Sequence, residues 1–237
     1  MIEIHLKLRV GVVIPAHNEA EFITTVIHAA RAVPEVDEIL VVDDGSSDRT
    51  AEVAAKQGAR VVSHEENLGK GAAMTTGCRS SRSDVLIYLD GDLQNVTPEK
   101  IRRMIQPFRE GIDFVKTRFE RRGGRVTQLT ARPMLGHFFP EIEEQFDQPL
   151  SGQIGIKKTL MGRLELEEDM GVDLGLLIDA VESGAGVSEV CIGELEHDER
   201  ELKDLQVMAR AVVRVILDRA VRYQRVDKAV EDIVEAG

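Results

Sequence analysis

The sequence predicts an α/β fold, a mostly parallel and doubly wound sheet with helices on both faces and an extension on the C-terminal side. Two observations predict it. Short β-branched runs alternate strictly with helical stretches up to about residue 112, the pattern of strand–helix–strand units with parallel neighbours. Each of the first four apolar runs also ends in a polar cluster, and open α/β sheets bind ligands beyond the carboxyl ends of their strands.

Residues 10–14 read as the first strand and 19–32 as an amphipathic helix. A second strand covers 38–43 and a helix about 48–57; a third strand covers 59–63 and a helix runs from 70 to about 80. The fourth strand is 85–89. A helix over 98–108 follows, with Pro98 in its first turn, where a missing N–H costs little. Beyond residue 112 the alternation lapses. Residues 114–118 suit one more strand, 121–124 a basic, glycine-containing loop, and 126–135 a helix despite Pro133. Residues 149–157 place turn formers around a short apolar segment, 174–183 read as a helix, 187–192 as an edge strand, and 199 to about 235 as one long helix or two. No repeat, low-complexity tract or linker interrupts the chain, so residues 1–237 are expected to form a single domain.

The chain is 43% hydrophobic and 30% charged, enough for a sizeable core. No apolar run approaches the roughly 20 residues of a membrane-spanning helix, and no secretory leader pattern opens the sequence, so a cytoplasmic protein without an integral membrane segment is expected. A net charge of −12 argues against a nucleic-acid partner, which needs a basic surface to neutralise phosphates. Cys78 and Cys191 form no CxxC pair and read as buried small hydrophobes. His5, His28, His64 and His137 have no supporting neighbourhood and are assigned no role.

Four clusters carry the candidate chemistry. Pro15, Ala16, His17, Asn18 and Glu19 follow the first strand, and Asp43 to Asp48 the second. His64 to Gly71 follow the third strand, and Asp90, Gly91 and Asp92 the fourth. Asp90 and Asp92 suit a hard divalent cation, Mg²⁺ or Mn²⁺, which prefers oxygen ligands and bridges phosphate oxygens; the alternative is an acidic pair in a solvated turn. Asp44 is a candidate acceptor for a base N–H, and Glu19 for the base or ribose. Asp48 is read as a helix cap and left out of the site. Gly69, Lys70 and Gly71 open a helix, where a lysine and backbone N–H groups favour phosphate, without the spacing of a Walker A loop.

In order and spacing, these four motifs resemble the GT-A signature of family-2-type glycosyltransferases over roughly the first 120 residues. Farther on, Gly124-Arg125-Val126-Thr127, Thr130-Ala131-Arg132-Pro133, Pro149-Leu150-Ser151-Gly152 and the segment Gly171 to Leu177 resemble glucosyl-3-phosphoglycerate synthases and their mannosyl relatives. The resemblance implies a Rossmann-like GT-A fold with a nucleotide-sugar-binding half, 1–120, and an acceptor-binding half with a C-terminal helix, 121–237. It implies a retaining transferase that moves a hexose from a nucleotide-sugar, UDP-glucose first, to a small anionic acceptor such as 3-phosphoglycerate. Pro15, Ala16, His17, Glu19, Asp44, Lys70, Asp90 and Gly91 would bind the nucleotide-sugar, and Gly124, Arg125 and Thr127 the acceptor. A guanidinium and a hydroxyl beside free backbone N–H groups make a sound anion clamp. Asp92, Asp90 and His197 would hold the divalent cation. Asp173 and Lys70 would be catalytic, with Asp173 standing where the family usually has glutamate. The competing readings are a GT-A enzyme with another acceptor, such as a polyprenyl phosphate, and a non-catalytic nucleotide-sugar-binding module. Val212, Val213, Ile216, Ala220 and Tyr223 recur at helical spacing, which suits the core or the face of a homodimer, with the core the expected use.

Overall fold

A computed structural model of the chain describes residues 8–120, 123–167, 171–194 and 202–226. Among these, seven strands form one sheet: β1 (Val10–Ala16), β2 (Val36–Asp43), β3 (Arg60–Ser63), β4 (Val85–Tyr88), β5 (Phe114–Arg118), β6 (Ile154–Lys157) and β7 (Val187–Cys191). Their spatial order is β3-β2-β1-β4-β6-β5-β7. The helices are α1 (Ile23–Arg31), α2 (Thr50–Lys56), α3 (Lys70–Ser80), α4 (Pro98–Ile105), α5 (Arg132–Phe138), α6 (Pro140–Gln145), α7 (Lys158–Met161), α8 (Val172–Glu182) and α9 (Leu202–Arg222). None of them is long and apolar enough to cross a membrane.

The central strands are apolar on both faces because both faces are covered. Val12, Ile14, Val41, Ile87 and Val115 point to one side, where α1 and α4 supply Ile23, Ile27, Ile101 and Met104. Their strand neighbours Val13, Leu40, Val42, Leu86, Tyr88 and Phe114 point to the other, against Met74 of α3, Leu176 of α8 and Ile216 of α9. The parallel direction of β1, β2, β3 and β4 is what puts their carboxyl ends on one rim.

One strand runs the other way. β6 lies antiparallel between β4 and β5, whereas the neighbouring pairs β1–β2, β1–β4, β2–β3 and β5–β7 are parallel. The sequence reading of 149–157 as turns around an apolar segment is corrected here. The strand holds only four residues, and Gly155 weakens its signal, yet that glycine is required: a Cβ there would lie 2.8 Å from the Phe108 ring. The helix expected over 126–135 begins with a π turn, Thr127–Ala131, and continues as α5. Arg132 N–H donates to Thr127 O, a widened turn that accommodates Pro133, which lacks an N–H and crowds the preceding turn. The short helices α6 and α7 were not read from the sequence.

At the back, Arg219 of α9 is 1% exposed and grips Asp179 of α8 with two bonds, Nε–Oδ1 at 3.0 Å and Nη2–Oδ2 at 2.9 Å. It also pairs with Glu167, and Tyr223 donates to Asp179 at 2.9 Å. Val212, Ile216 and Ala220 are buried beside this pair, so the apolar stripe of α9 belongs to the core.

Candidate active site

The rim is assembled by side chains that receive backbone N–H groups from neighbouring loops. Asn18, at φ 60°, accepts from Ser47 N at 2.8 Å and Asp48 N at 3.3 Å, and its own N–H donates to Ser46 Oγ at 2.9 Å. Asp48 accepts from Ala20 N at 3.2 Å and Thr50 N at 2.9 Å, while Thr50 Oγ1 accepts from Glu19 N at 2.8 Å. Arg49 stands at the cap position of α2 without a side-chain cap bond, and Asp48 both accepts the helix's first N–H, from Thr50, and ties the neighbouring loop. The His17 ring donates from Nδ1 to Asp44 O at 2.8 Å. These bonds join the β1–α1 loop to the β2–α2 loop.

Asp44 is 4% exposed and holds the next loop in turn. Its Oδ1 accepts from Leu68 N at 3.0 Å and His64 Nδ1 at 2.7 Å, and its Oδ2 from Gly69 N at 2.8 Å. Gly45, at φ +68°, lets the β3–α3 loop lie directly on top: a Cβ would sit 2.4 Å from the Glu66 carbonyl carbon. Asp44, expected to read a base, thus accepts three bonds within the protein, two at Oδ1 and one at Oδ2. The uncommitted acceptor is next to it: Asp43 Oδ1 is buried with no hydrogen-bond partner. His64, given no role from sequence, also contacts Thr76 Oγ1 of α3 at 2.9 Å through Nε2.

The tip of β4 packs under Glu19, since a Cβ on Gly91 would meet Glu19 Cγ at 3.1 Å and Ala16 Cβ at 3.3 Å. Asp90 and Asp92 are both half-buried there. Lys70 Nζ bridges Asp90 Oδ1 at 2.7 Å and Asp173 Oδ2 at 3.0 Å, joining the tip of β4 to the first turn of α8. Burial disfavours the lysine's charge, yet the two carboxylates outweigh it and hold its pKa above the ordinary lysine value. Asp173 is 8% exposed, and its Oδ1 is buried without a partner. Burial pushes its carboxyl up, with Lys70 and Lys116 pulling against that. Of the three residues expected to hold an acceptor, Thr127 is buried whereas Gly124 and Arg125 are exposed at the start of the helical segment, and a Cβ on Gly124 would meet open space.

Three comparisons place this geometry. The model for "Glycosyl transferase family 2" matches residues 11–171. Glucosyl-3-phosphoglycerate synthase of Mycobacterium tuberculosis is 34% identical over 237 residues, covering 89% of this chain and 73% of that protein. The chain belongs to glycosyl transferase family 2. The synthase of Petrotoga mobilis is 28% identical, over 93% of this chain and 76% of its own. Among solved structures, the M. tuberculosis synthase with Mn²⁺, UDP and phosphoglyceric acid superposes with a TM-score of 0.84 at 35% identity, covering 90% of this chain and 78% of that one. Its complex with Mn²⁺, UDP-glucose and phosphoglyceric acid gives 0.83, at 35% identity over 90% and 80%. This chain is a glycosyltransferase with the GT-A fold.

The candidate site also gathers residues that sequence reasoning missed. Gln153, 3% exposed at the start of β6, donates from Nε2 to Asp90 Oδ2 at 2.7 Å. Gly152 makes room for that approach, since a Cβ there would lie 2.5 Å from Asp90 Oδ2 and 2.9 Å from Lys70 Nζ. Because β6 is reversed, its beginning reaches the rim where the parallel strands end. Lys116, wholly buried on β5, donates to the Asp173 main-chain carbonyl at 2.8 Å. Burial lowers its pKa to about 8, against the pull of Asp173. A lysine two positions after Phe114, on the same face of the strand Phe114–Arg118, was the available signal for it. Among the described residues no group of three potential metal ligands gathers, and His197, the third ligand implied by resemblance, lies outside them. A separate cleft of about 270 Å³ near Glu35 and α4 is lined by Arg102, Arg103 and Arg109, which already pair with Glu35 and Glu99.

Proposed function

We propose that this glycosyltransferase moves a hexose, with retention, from a nucleotide-sugar to a small anionic acceptor, UDP-glucose and 3-phosphoglycerate being the first pair to test. The observation that carries the reading is the Lys70 bridge, which draws the nucleotide-side Asp90 and the acceptor-side Asp173 to one ammonium. The substrates named for the M. tuberculosis structures give the class of donor and acceptor.

In this reading Pro15, Ala16, His17 and Glu19 line the nucleoside, Asp44 faces the donor as expected, and Asp43 Oδ1 is a second acceptor beside it. Asp44 holds the loop that presents Lys70. Asp90 and Asp92 fit a hard cation by their chemistry, two carboxylates at one strand tip, with His197 the further ligand the resemblance implies. When bound, a divalent cation supplies neutralisation of the charge that develops on the leaving diphosphate. Lys70 adds positive charge at the same point and orients Asp90, while Gln153 fixes the other oxygen of that carboxylate. Asp173 Oδ1, buried and uncommitted, accepts a hydroxyl of the sugar or acceptor and positions it near the anomeric carbon. Arg125, Thr127 and the backbone at Gly124 hold the acceptor's anionic groups as a clamp.

The test is transfer measured with a panel of nucleotide-sugars, Mg²⁺ or Mn²⁺, and either 3-phosphoglycerate or a polyprenyl phosphate, in wild type and Asp92→Ala. We expect turnover with 3-phosphoglycerate and a loss of about 10²–10³-fold in the variant, the scale of removing one transition-state charge contact. Equal turnover in both proteins would end the reading.

A further inference from the structure

We propose that Lys116 is a positioning residue for the transfer, acting through its hydrogen bond to the Asp173 main-chain carbonyl to aim the Asp173 carboxylate. The proposal rests on the role given to Asp173 above.

Lys116 sits on β5 between its hydrogen-bonded neighbours β6 and β7, on backbone paired on both sides. Phe114 on the same strand belongs to the core shared with α8, and Lys116, two residues on, shares that face. Taking an ammonium out of water is costly even after relaxation, so a lysine is a poor choice where the need is only to fill volume. Among the described residues no carboxylate lies in ion-pair contact with it; its hydrogen bond goes to Asp173 O at 2.8 Å. A cation beside the first turn of a helix is also disfavoured by the helix dipole. Two unfavourable placements are retained at one position, and what they produce is a strut from a rigid strand to the turn that carries Asp173.

That turn needs a strut. The Asp173 side chain is tied at Oδ2 by Lys70, which leads back to Asp90 on β4, while Oδ1 has no partner. Side chain and main chain of Asp173 are thus fixed by two different lysines from two different strands' ends of the sheet, Lys70 following β3 and Lys116 on β5. Removing Lys116 leaves the carboxylate tethered at one oxygen and takes away the bond that ties its main chain to β5. Misplacement by about 1 Å is enough to cost on the order of 10²-fold in rate.

The experiment is a double-mutant cycle on UDP-glucose transfer to 3-phosphoglycerate, using Lys116→Met, Asp173→Asn and the pair, with Tm recorded for each. We expect Lys116→Met to lower kcat about 10–100-fold with KM for UDP-glucose within about twofold, and the double variant to lose no more than Asp173→Asn alone. If Lys116→Met does not fold, Lys116→Gln, which keeps a donor without the charge, replaces it and should retain more kcat than Asp173→Asn. Unchanged kcat in Asp173→Asn overturns the role of Asp173 and this proposal with it. A full loss in Asp173→Asn combined with unchanged kcat in the Lys116 variant, or losses that multiply in the pair, overturns the role of Lys116 alone.

Discussion

The front and back of the sheet are held together by different kinds of interaction. In front, Asn18, Asp44 and Asp48 receive backbone N–H groups across loops, so each loop is fixed by a short polar residue reaching its neighbour. At the back, buried charges do the equivalent work: Arg219 with Asp179 and Glu167, and Lys116 with the Asp173 carbonyl. The difference teaches where rigidity comes from. A carboxylate that accepts several N–H bonds tolerates partial exposure, whereas a buried ion pair depends on both partners being present.

The comparison can be broken most severely at Arg219. Replacing it with methionine leaves Asp179, 2% exposed, without its guanidinium, and the expected cost is about 3–5 kcal/mol, a fall in Tm of about 10 °C or more. Transfer by the folded fraction at low temperature should persist, because the pair lies behind the site. A Tm within a degree or two of wild type would mean that the α8–α9 contact is held by apolar packing alone.

Asp44→Ala sharpens the same contrast from the front with a smaller effect. It strands Leu68 N–H, leaves Gly69 N–H with Asn67 Oδ1 alone and frees His64 Nδ1, for an expected loss of about 1–3 kcal/mol. Since these groups carry the loop that ends at Lys70, KM for the nucleotide-sugar should rise as well. If thermal stability falls while that KM stays fixed, the loop's conformation is not set by Asp44.

The same division governs what could be read from the sequence. The strands and helices of the front appear because each is marked by local periodicity, and Lys70–Ser80 and Phe114–Arg118 coincide with their expected bounds. Helix α1 begins later than expected, after a turn in which Glu19 O accepts from Phe22 N and Ile23 N. β6 escaped because four residues with a glycine carry no period, and its place is decided by pairing with β4 and β5, distant in sequence. The candidate site divides likewise. Its motif residues stand at strand ends and were legible, but the contacts that organise them were not. Lys70 and Asp173 are 103 positions apart, Gln153 and Asp90 63, and Lys116 and Asp173 57. Asp44 and Asp43 show the limit most plainly, since adjacent carboxylates of one motif differ only in which of them the next loop happens to engage.

Joining the two halves at a single ammonium is the claim from which the rest follows. Its most direct test is kcat/KM of Lys70→Met for transfer of glucose from UDP-glucose to 3-phosphoglycerate with Mn²⁺ present. The predicted result is a loss of at least about 10²-fold with the fold retained, because both Asp90 and Asp173 lose their shared partner. A variant that transfers as well as wild type would contradict the account.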